Sequence, residues 1–354
     1  MNKMHVLNLG KRPGQQSMLV FHALTRLGFE GLVVVSPRIP LASVGYFQDA
    51  EKEIDLAYCR EAGIPVMRRE VGGGATLLDE NQIFYQVIWN KKNPKFPKSI
   101  EAIFEFLSQP PCETYREFGI EAHFRSANDI VTTQGKKIAG EGGGDVGNAM
   151  VFVGGILMDF DYESMGKIFR VPDEKFRDKI YKSMEENLTT MKRELGCVPE
   201  REHIVNVLIR KYEKIFGKLE VSSLSSQTVD KMIELECWFT SKEFLFKKTP
   251  RIPTGVKIRE GIEILYSTYK AKGGLIRTAQ EVKKDRIEDI ILSGDFQFYP
   301  KSKLEFMEIE LRDIKKEKKG INRKIEEYYD KHRIETPNVK PEDFTRAIMA
   351  ANKS

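Results

Sequence analysis

Apolar and polar positions change their period several times along the chain, and each change marks an element. Gly31 to Ser36, "GLVVVS", is an unbroken β-branched run closed by "PRIP", which predicts a buried strand. Ahead of it, "SMLVFHALTRLG" carries apolar residues at helical spacing and ends on a glycine where a C-cap falls. "EKEIDLAYCREAG" repeats that helical pattern, and "IPVMRREVGGG" predicts a strand running into three glycines. "IFYQVIWN" reads as a strand, and "KSIEAIFEFLSQ" as a helix stopped by Pro110 and Pro111. "DIVTTQGKKIAGEGGG" predicts a hairpin turning near Gln134–Gly135 and then running into flexible glycines. "MVFVGGILMDFDY" is a long strand pattern, and helical patterns cover Glu174 to Leu195 and Arg201 to Phe216.

Past residue 245 the texture shifts. "KKTPRIPTG" is punctuated by proline and predicts a linker able to act as a hinge at Gly255. Beyond it, "VKIREGIEILYSTYKAKGGLIRTAQEV" alternates like antiparallel strands around "KGG"; "IEDIILSGDFQFYP" adds a strand, and the tail is helical and charged. The expectation is an α/β (α+β) chain in two parts. Residues 1–245 form a mainly antiparallel sheet flanked by helices, and residues 246–354 a small α+β accessory domain.

Composition removes several function classes. With 354 residues, 41% hydrophobic and 31% charged, the chain has the balance of a soluble globular protein. It shows no signal-peptide pattern and no apolar run of the roughly 20 residues a membrane span needs, so a cytoplasmic location without membrane attachment is expected. Cys59, Cys112, Cys197 and Cys237 are widely spaced with no CxxC pair, which argues against zinc or a disulfide framework. His5, His22, His123, His203 and His332 show no ligand spacing, and Trp89 and Trp238 read as packing residues. The net charge of +5 is spread among acids even in its densest run, "RDIKKEKKGINRK". A nucleic-acid partner is not expected; an acidic protein partner suits a mild positive charge better.

Two stretches carry candidate chemistry. In "RREVGGGATLLD", Arg68 to Asp79, three glycines follow two arginines. Glycines admit backbone conformations closed to other residues and can turn main-chain N–H groups toward an anion, with arginine adding charge-assisted hydrogen bonds. The spacing fits neither GxxxxGK[ST] nor GxGxxG. A sharp turn and a ligand cradle both remain open on these residues alone. In "NDIVTTQGKKIAGEGGG", a lysine leaves the hairpin for a glycine-rich segment. An ammonium there can lie between a carboxylate and a phosphate whose like charges must approach.

Taken together, "RREVGGGATLLD", "NDI", "KKIAG" and "VGGILMDFDYESM" resemble the lipoate–protein ligase A family of the biotin/lipoate protein ligase superfamily. Gly45 and Gln48 in "SVGYFQDAEKEIDLAYCREAGIPVMRR" support the register. The resemblance spans roughly residues 5 to 215, and "GGLIRTAQEV" and "ILSGDFQF" are similar to the family's accessory domain. It implies that lipoate and ATP give lipoyl-AMP and pyrophosphate, and that the lipoyl group then passes to an acceptor lysine. By resemblance Lys137 is catalytic and touches both ATP and the acyl carbonyl. Arg69, Gly72, Gly73, Gly74, Ala75, Thr76 and Leu77 hold ATP; Asn128 and Asp129 match the N-D pair, and Asp129 helps place Mg²⁺. Arg68, Lys137, Gly140, Val153 and Gly154 fall at the lipoyl end. The implied partner is a lipoyl domain of a 2-oxoacid dehydrogenase E2 component, or a glycine-cleavage H-like protein, met by a monomer.

Leu78 stands where many members have histidine, and Phe152, Val153, Gly154 and Gly155 replace a His-His-Gly-Thr run. The acyl end is therefore less defined than the adenylate end. The rival on this fold is a lipoyl/octanoyltransferase that carries the acyl chain on cysteine, yet "EAHFRSANDI" lacks one and Cys112 lies well upstream. A transferase that uses Lys137 alone, without a cofactor, also stays open, as does a non-catalytic acyl-adenylate-binding protein.

Overall fold

A computed structural model describes residues 3–171, 174–250 and 261–352. Its main sheet has eight strands in the spatial order Glu220–Val221, His5–Arg12, Gly31–Pro37, Gln82–Asn90, Ala149–Leu157, Lys137–Val146, Asp129–Thr132 and Ala122–Arg125. The first two pairings are parallel and the other five antiparallel, as expected of a mainly antiparallel sheet. Strand Gly31–Pro37 is buried along its whole length, in keeping with its unbroken apolar run. One face of the sheet is covered by helices Ile100–Glu117 and Arg201–Phe216, the other by Gly14–Arg26. A second, three-stranded sheet (Val66–Arg68, Leu41–Val44, Thr76–Leu78) carries the triple glycine between two of its strands.

The helix expected to stop at Pro110 instead runs through both prolines, Ile100–Glu117. Proline removes an N–H donor from the helical ladder, and Pro111 leaves the Leu107 carbonyl without its usual partner. The Tyr212 hydroxyl donates to that carbonyl at 3.2 Å. The helix's apolar face, from Ile100 through Leu107 to Tyr115, stays buried. Side-chain replacement of a lost backbone bond plus continued burial keeps the helix intact.

The pattern over Glu174 to Leu195 splits into Glu174–Asn187 and Met191–Leu195, because the Thr190 side chain caps the second helix. The stretch Glu51 to Gly63 similarly divides into Ala50–Glu53 and Leu56–Glu61, capped by Asp49 and Asp55. The hairpin turn falls at Gly135, with φ +79° and its N–H bonded to the Thr132 carbonyl. The glycines beyond it are not flexible. Gly140, Gly142, Gly143 and Gly144 lie inside the strand Lys137–Val146, the first paired with Asp129 and the other three with the strand Ala149–Leu157.

The C-terminal residues form a three-stranded antiparallel sheet (Ile262–Ala271, Gly274–Lys283, Arg286–Gly294) with helices Lys303–Glu310, Lys318–His332 and Pro341–Met349. Their apolar core is continuous with that of the main domain. One cluster joins Leu19, Phe47 and Val151 to Phe296, Leu304 and Phe344. Phe47 stacks on Phe296 with ring centroids 5.4 Å apart, and Gly294 N–H donates to the Phe47 carbonyl at 2.9 Å. Of the expected hinge, residues 251–255, Gly255 included, lie outside the described residues. The residues ahead of them are pinned: Lys247 to Glu305, the buried Lys248 to Glu308, and Thr249 to Asp49, at 2.9, 2.9 and 2.5 Å.

Candidate active site

A cavity of about 530 Å³ opens between the main sheet, the triple-glycine loop and helix Glu174–Asn187. It has a polar end and an apolar end. Arg69, Gly73, Gly74, Ala75, Thr76, Asn128, Lys137 and Gly140 line the first; Met18, Phe21, Leu78, Phe84, Val153 and Leu157 lie in the second. Motif residues as far apart in sequence as Arg69 and Val153 thus share one chamber.

Lys137 enters at the head of its strand. Its Nζ pairs with Asp129 Oδ1 at 2.6 Å, and Asp129 Oδ2 accepts from Arg125 at 3.1 Å. Burial alone raises a carboxyl's pKa, but these two cations outweigh it and hold Asp129 below the usual carboxylate range. A Cβ at Gly140 would stand 3.1 Å from both the Lys137 Cε and Nζ, so the glycine of "KIAG" clears the space the lysine occupies. Asn128 and Glu141 exchange bonds across the strands: Glu141 N–H to the Asn128 carbonyl at 2.8 Å, Asn128 Nδ2 to the Glu141 carbonyl at 2.7 Å.

The two arginines differ sharply. Arg68 is fully buried, away from the cavity, and donates to five backbone carbonyls. Those of Gly45, Tyr46, Gln48 and Phe244 lie at 2.8, 2.9, 2.7 and 2.8 Å, and the fifth is Leu245. Its expected place at the lipoyl end is corrected: it lies off the cavity wall, with each guanidinium nitrogen bonded to main chain. Arg69 does border the cavity, yet its guanidinium braces the loop. It donates to Gly72 and Gly74 carbonyls at 2.9 and 2.8 Å and to the Ser43 hydroxyl at 3.1 Å. Burial and the neighbouring Arg68 push its pKa down to about 10, so it stays charged at neutral pH.

Three other expected site residues lie off the cavity wall. Leu77 is buried with Ala42 and Val44, because strand alternation that turns Leu78 inward turns Leu77 outward. Gly72 packs against the C-terminal module, and Asp129 stands behind Lys137. Both Asp129 oxygens are taken by cations, and among the described residues no cluster of three His, Cys, Asp or Glu could hold a metal. The residues present do not fit a resident Mg²⁺ on Asp129.

Sequence reading missed Gln82, Phe84 and Gln86, which line the cavity. Their alternate spacing on one strand carries the signal, since residues i, i+2 and i+4 share a face. It missed Phe160, Met165, Phe169, Met184 and Leu188 as well, which close the chamber from loops and helices that no local pattern joins.

No cysteine borders the cavity, and all four are among the described residues. Cys112 is buried beneath the sheet, where burial and the nearby Glu141 push its thiol up to about 12. Cys59 is buried in a separate apolar cluster, its thiol likewise pushed up to about 11; Cys197 and Cys237 are exposed elsewhere.

A helix-flanked, mainly antiparallel sheet, with an arginine-braced glycine loop and a lysine meeting at an apolar chamber, defines an enzyme of the biotin/lipoate ligase class. Residues 30–213 match the model of the lipoyl protein ligase A/B catalytic domain, and the chain belongs to that family. Octanoyltransferase LipM of Kyrpidia tusciae is 24% identical over 275 residues, covering 70% of this chain and all of the relative. Subunit 1 of the lipoate–protein ligase A of Thermoplasma acidophilum is 31% identical over 157 residues, 42% of this chain and 58% of the relative. The solved structure of P. falciparum LipL1 with lipoate shares the fold over 98% of both chains, at 16% identity and a TM-score of 0.71. The likeness of fold therefore includes the C-terminal module. No described helix is long and apolar enough to cross a membrane.

Proposed function

We propose that the protein is an ATP-dependent lipoate–protein ligase, and the observation that carries this reading is a chamber with no thiol. A cysteine-dependent transferase needs a nucleophilic sulfur beside the acyl group, whereas the nearest candidate by sequence, Cys112, is a buried, protonated thiol. A ligase needs no protein nucleophile. The lipoate carboxylate oxygen attacks the α-phosphorus of ATP, the bond to the β-phosphate oxygen breaks, and pyrophosphate leaves. The acceptor's neutral lysine amine then attacks the acyl carbon of lipoyl-AMP. The bond to the phosphate oxygen breaks, AMP leaves, and the nitrogen loses one proton.

In this reading Lys137 supplies the positive charge between carboxylate and phosphate, held in place by Asp129. The glycine loop from Gly73 to Thr76, with Arg69, borders the nucleotide end. Leu78, Phe84 and Val153 supply an apolar wall for the acyl chain, despite the absence of the histidines common in the family. Magnesium enters as a companion of the ATP phosphates, not as a resident ion. The acceptor is a lysine of a lipoyl domain or an H-like protein with an acidic surface, matched to the +5 charge.

The rival within the family is acyl transfer from a carrier protein; the LipM relative is an octanoyltransferase. Purified protein is mixed with ATP and either lipoate or octanoate, and pyrophosphate is measured. Acid-dependent release is expected. ATP-independent acyl transfer from octanoyl carrier protein, without pyrophosphate release, overturns the ligase reading.

A further inference from the structure

The triple glycine has an occupant in this structure, and it comes from the C-terminal module. The segment Asp295–Tyr299, leaving the strand Arg286–Gly294, crosses the loop. A Cβ at Gly72 would lie 2.5 Å from the Gln297 carboxamide and 3.2 Å from the Phe296 carbonyl; one at Gly143 would lie 2.9 Å from the Tyr299 hydroxyl. A side chain at either glycine would displace these C-terminal side chains from the loop.

The carboxamide orientation that satisfies both of its atoms makes a set of bonds across the loop. Gln297 oxygen accepts from Gly73 N–H at 3.3 Å, while its nitrogen donates to the Gly143 carbonyl at 3.2 Å and to the Tyr299 hydroxyl at 3.0 Å. Gly72 N–H is already bound to the Gly143 carbonyl at 3.1 Å. Gly73 itself sits at φ +92°, a conformation that turns the chain sharply between Gly72 and Gly74. Arg69 fixes the carbonyls on either side of that turn. So the first two amides of the triple glycine are committed to the fold; Gly73 borders the chamber, but the amides left for a ligand begin at Gly74 and continue through Ala75 and Thr76.

We infer that Gln297, a residue of the C-terminal module, is a positioning residue for the nucleotide loop. By holding Gly73 N–H it sets the turn that presents Gly74 to Thr76 to ATP. This rests on the ligase reading above. It ties the fused module to the nucleotide end of the site through one buried side chain. Gln297 is almost fully buried and is absent from the cavity wall, so it acts through the loop and not on the substrate.

Gln297→Met keeps the side chain's volume and removes its hydrogen bonds. In lipoate-dependent pyrophosphate release the variant is expected to raise the KM for ATP about tenfold, the value of one hydrogen bond, with little change in kcat. Transfer from supplied lipoyl-AMP to the acceptor domain should be unchanged, as should the melting temperature to within a few degrees. Tyr299→Phe, which removes one partner of the carboxamide, should shift the KM for ATP the same way by less. An unchanged KM for ATP in both variants overturns the inference. So does a parallel loss of both half-reactions with a fall in melting temperature, which marks a structural role only. Wild-type protein that releases no pyrophosphate refutes the ligase reading and this inference together; active wild type with an unaffected Gln297→Met refutes this one alone.

Discussion

Replacing Arg68 separates a structural arginine from a ligand-binding one. Its guanidinium gathers carbonyls from two distant segments, Gly45–Gln48 and Phe244–Leu245. Gly45 and Phe244 keep a second donor, from Gln48 N–H and Lys247 N–H. Arg68→Leu thus strands three buried carbonyls, those of Tyr46, Gln48 and Leu245. At about 1–3 kcal/mol for each unsatisfied buried acceptor, the loss is about 3–9 kcal/mol, a large part of a typical total stability. An unfolding entropy of about 2.1 cal/mol/K per residue gives this 354-residue chain roughly 0.75 kcal/mol/K. The melting temperature should then fall by about 4–12 °C. Arg68→Lys keeps the charge, but three donors cannot serve five carbonyls, so it should fall within the lower half of that range. Thermal unfolding followed by circular dichroism measures the shift, alongside the KM for lipoate of the folded fraction. A variant with wild-type melting temperature and a raised KM for lipoate would refute the reasoning and return Arg68 to the acyl site.

Lys137→Ala should slow lipoate-dependent pyrophosphate release about 100- to 1,000-fold. Its half-exposed pair with Asp129 adds only about 0–1 kcal/mol to stability, so turnover within tenfold of wild type, in a normally folded variant, removes the catalytic assignment. Cys112→Ala should leave turnover near wild type because the thiol is buried and protonated; loss of acyl transfer with folding intact would favour the cysteine-dependent rival. Glu141 is pushed up to about 8, chiefly by burial and against the opposing bonds from Ser108 and Tyr85. An acid whose folded pKa is raised contributes stability that is full below its unfolded pKa, near 4.5, and is lost as pH rises toward 8. Glu141→Gln should therefore flatten the decline of melting temperature between pH 5 and about 8, and an unchanged slope would count against a neutral Glu141.

Much of the frame was legible because it is local. The β-branched run at Gly31 to Ser36, the helix closing at Gly28 and the turn at Gly135 each follow from residues within one element. The order of "RREVGGGATLLD", "NDI" and "KKIAG" pointed to a shared site, and the chamber brings Arg69, Asn128 and Lys137 to one wall. What local pattern could not decide was direction and company. Two adjacent arginines have the same chemistry on paper; alternation and five distant carbonyls send Arg68 into the core and leave Arg69 at the cavity. Pro110 and Pro111 break a helix in isolation, but a hydroxyl from a helix a hundred residues later restores the bond that Pro111 removes. Three glycines admit a close neighbour without naming it, and tertiary packing made that neighbour Gln297, more than 220 residues away in sequence. Short-range periodicity and steric limits are written in neighbouring residues. The burial of an arginine and the filling of a glycine socket depend on surfaces that meet only once the chain has folded.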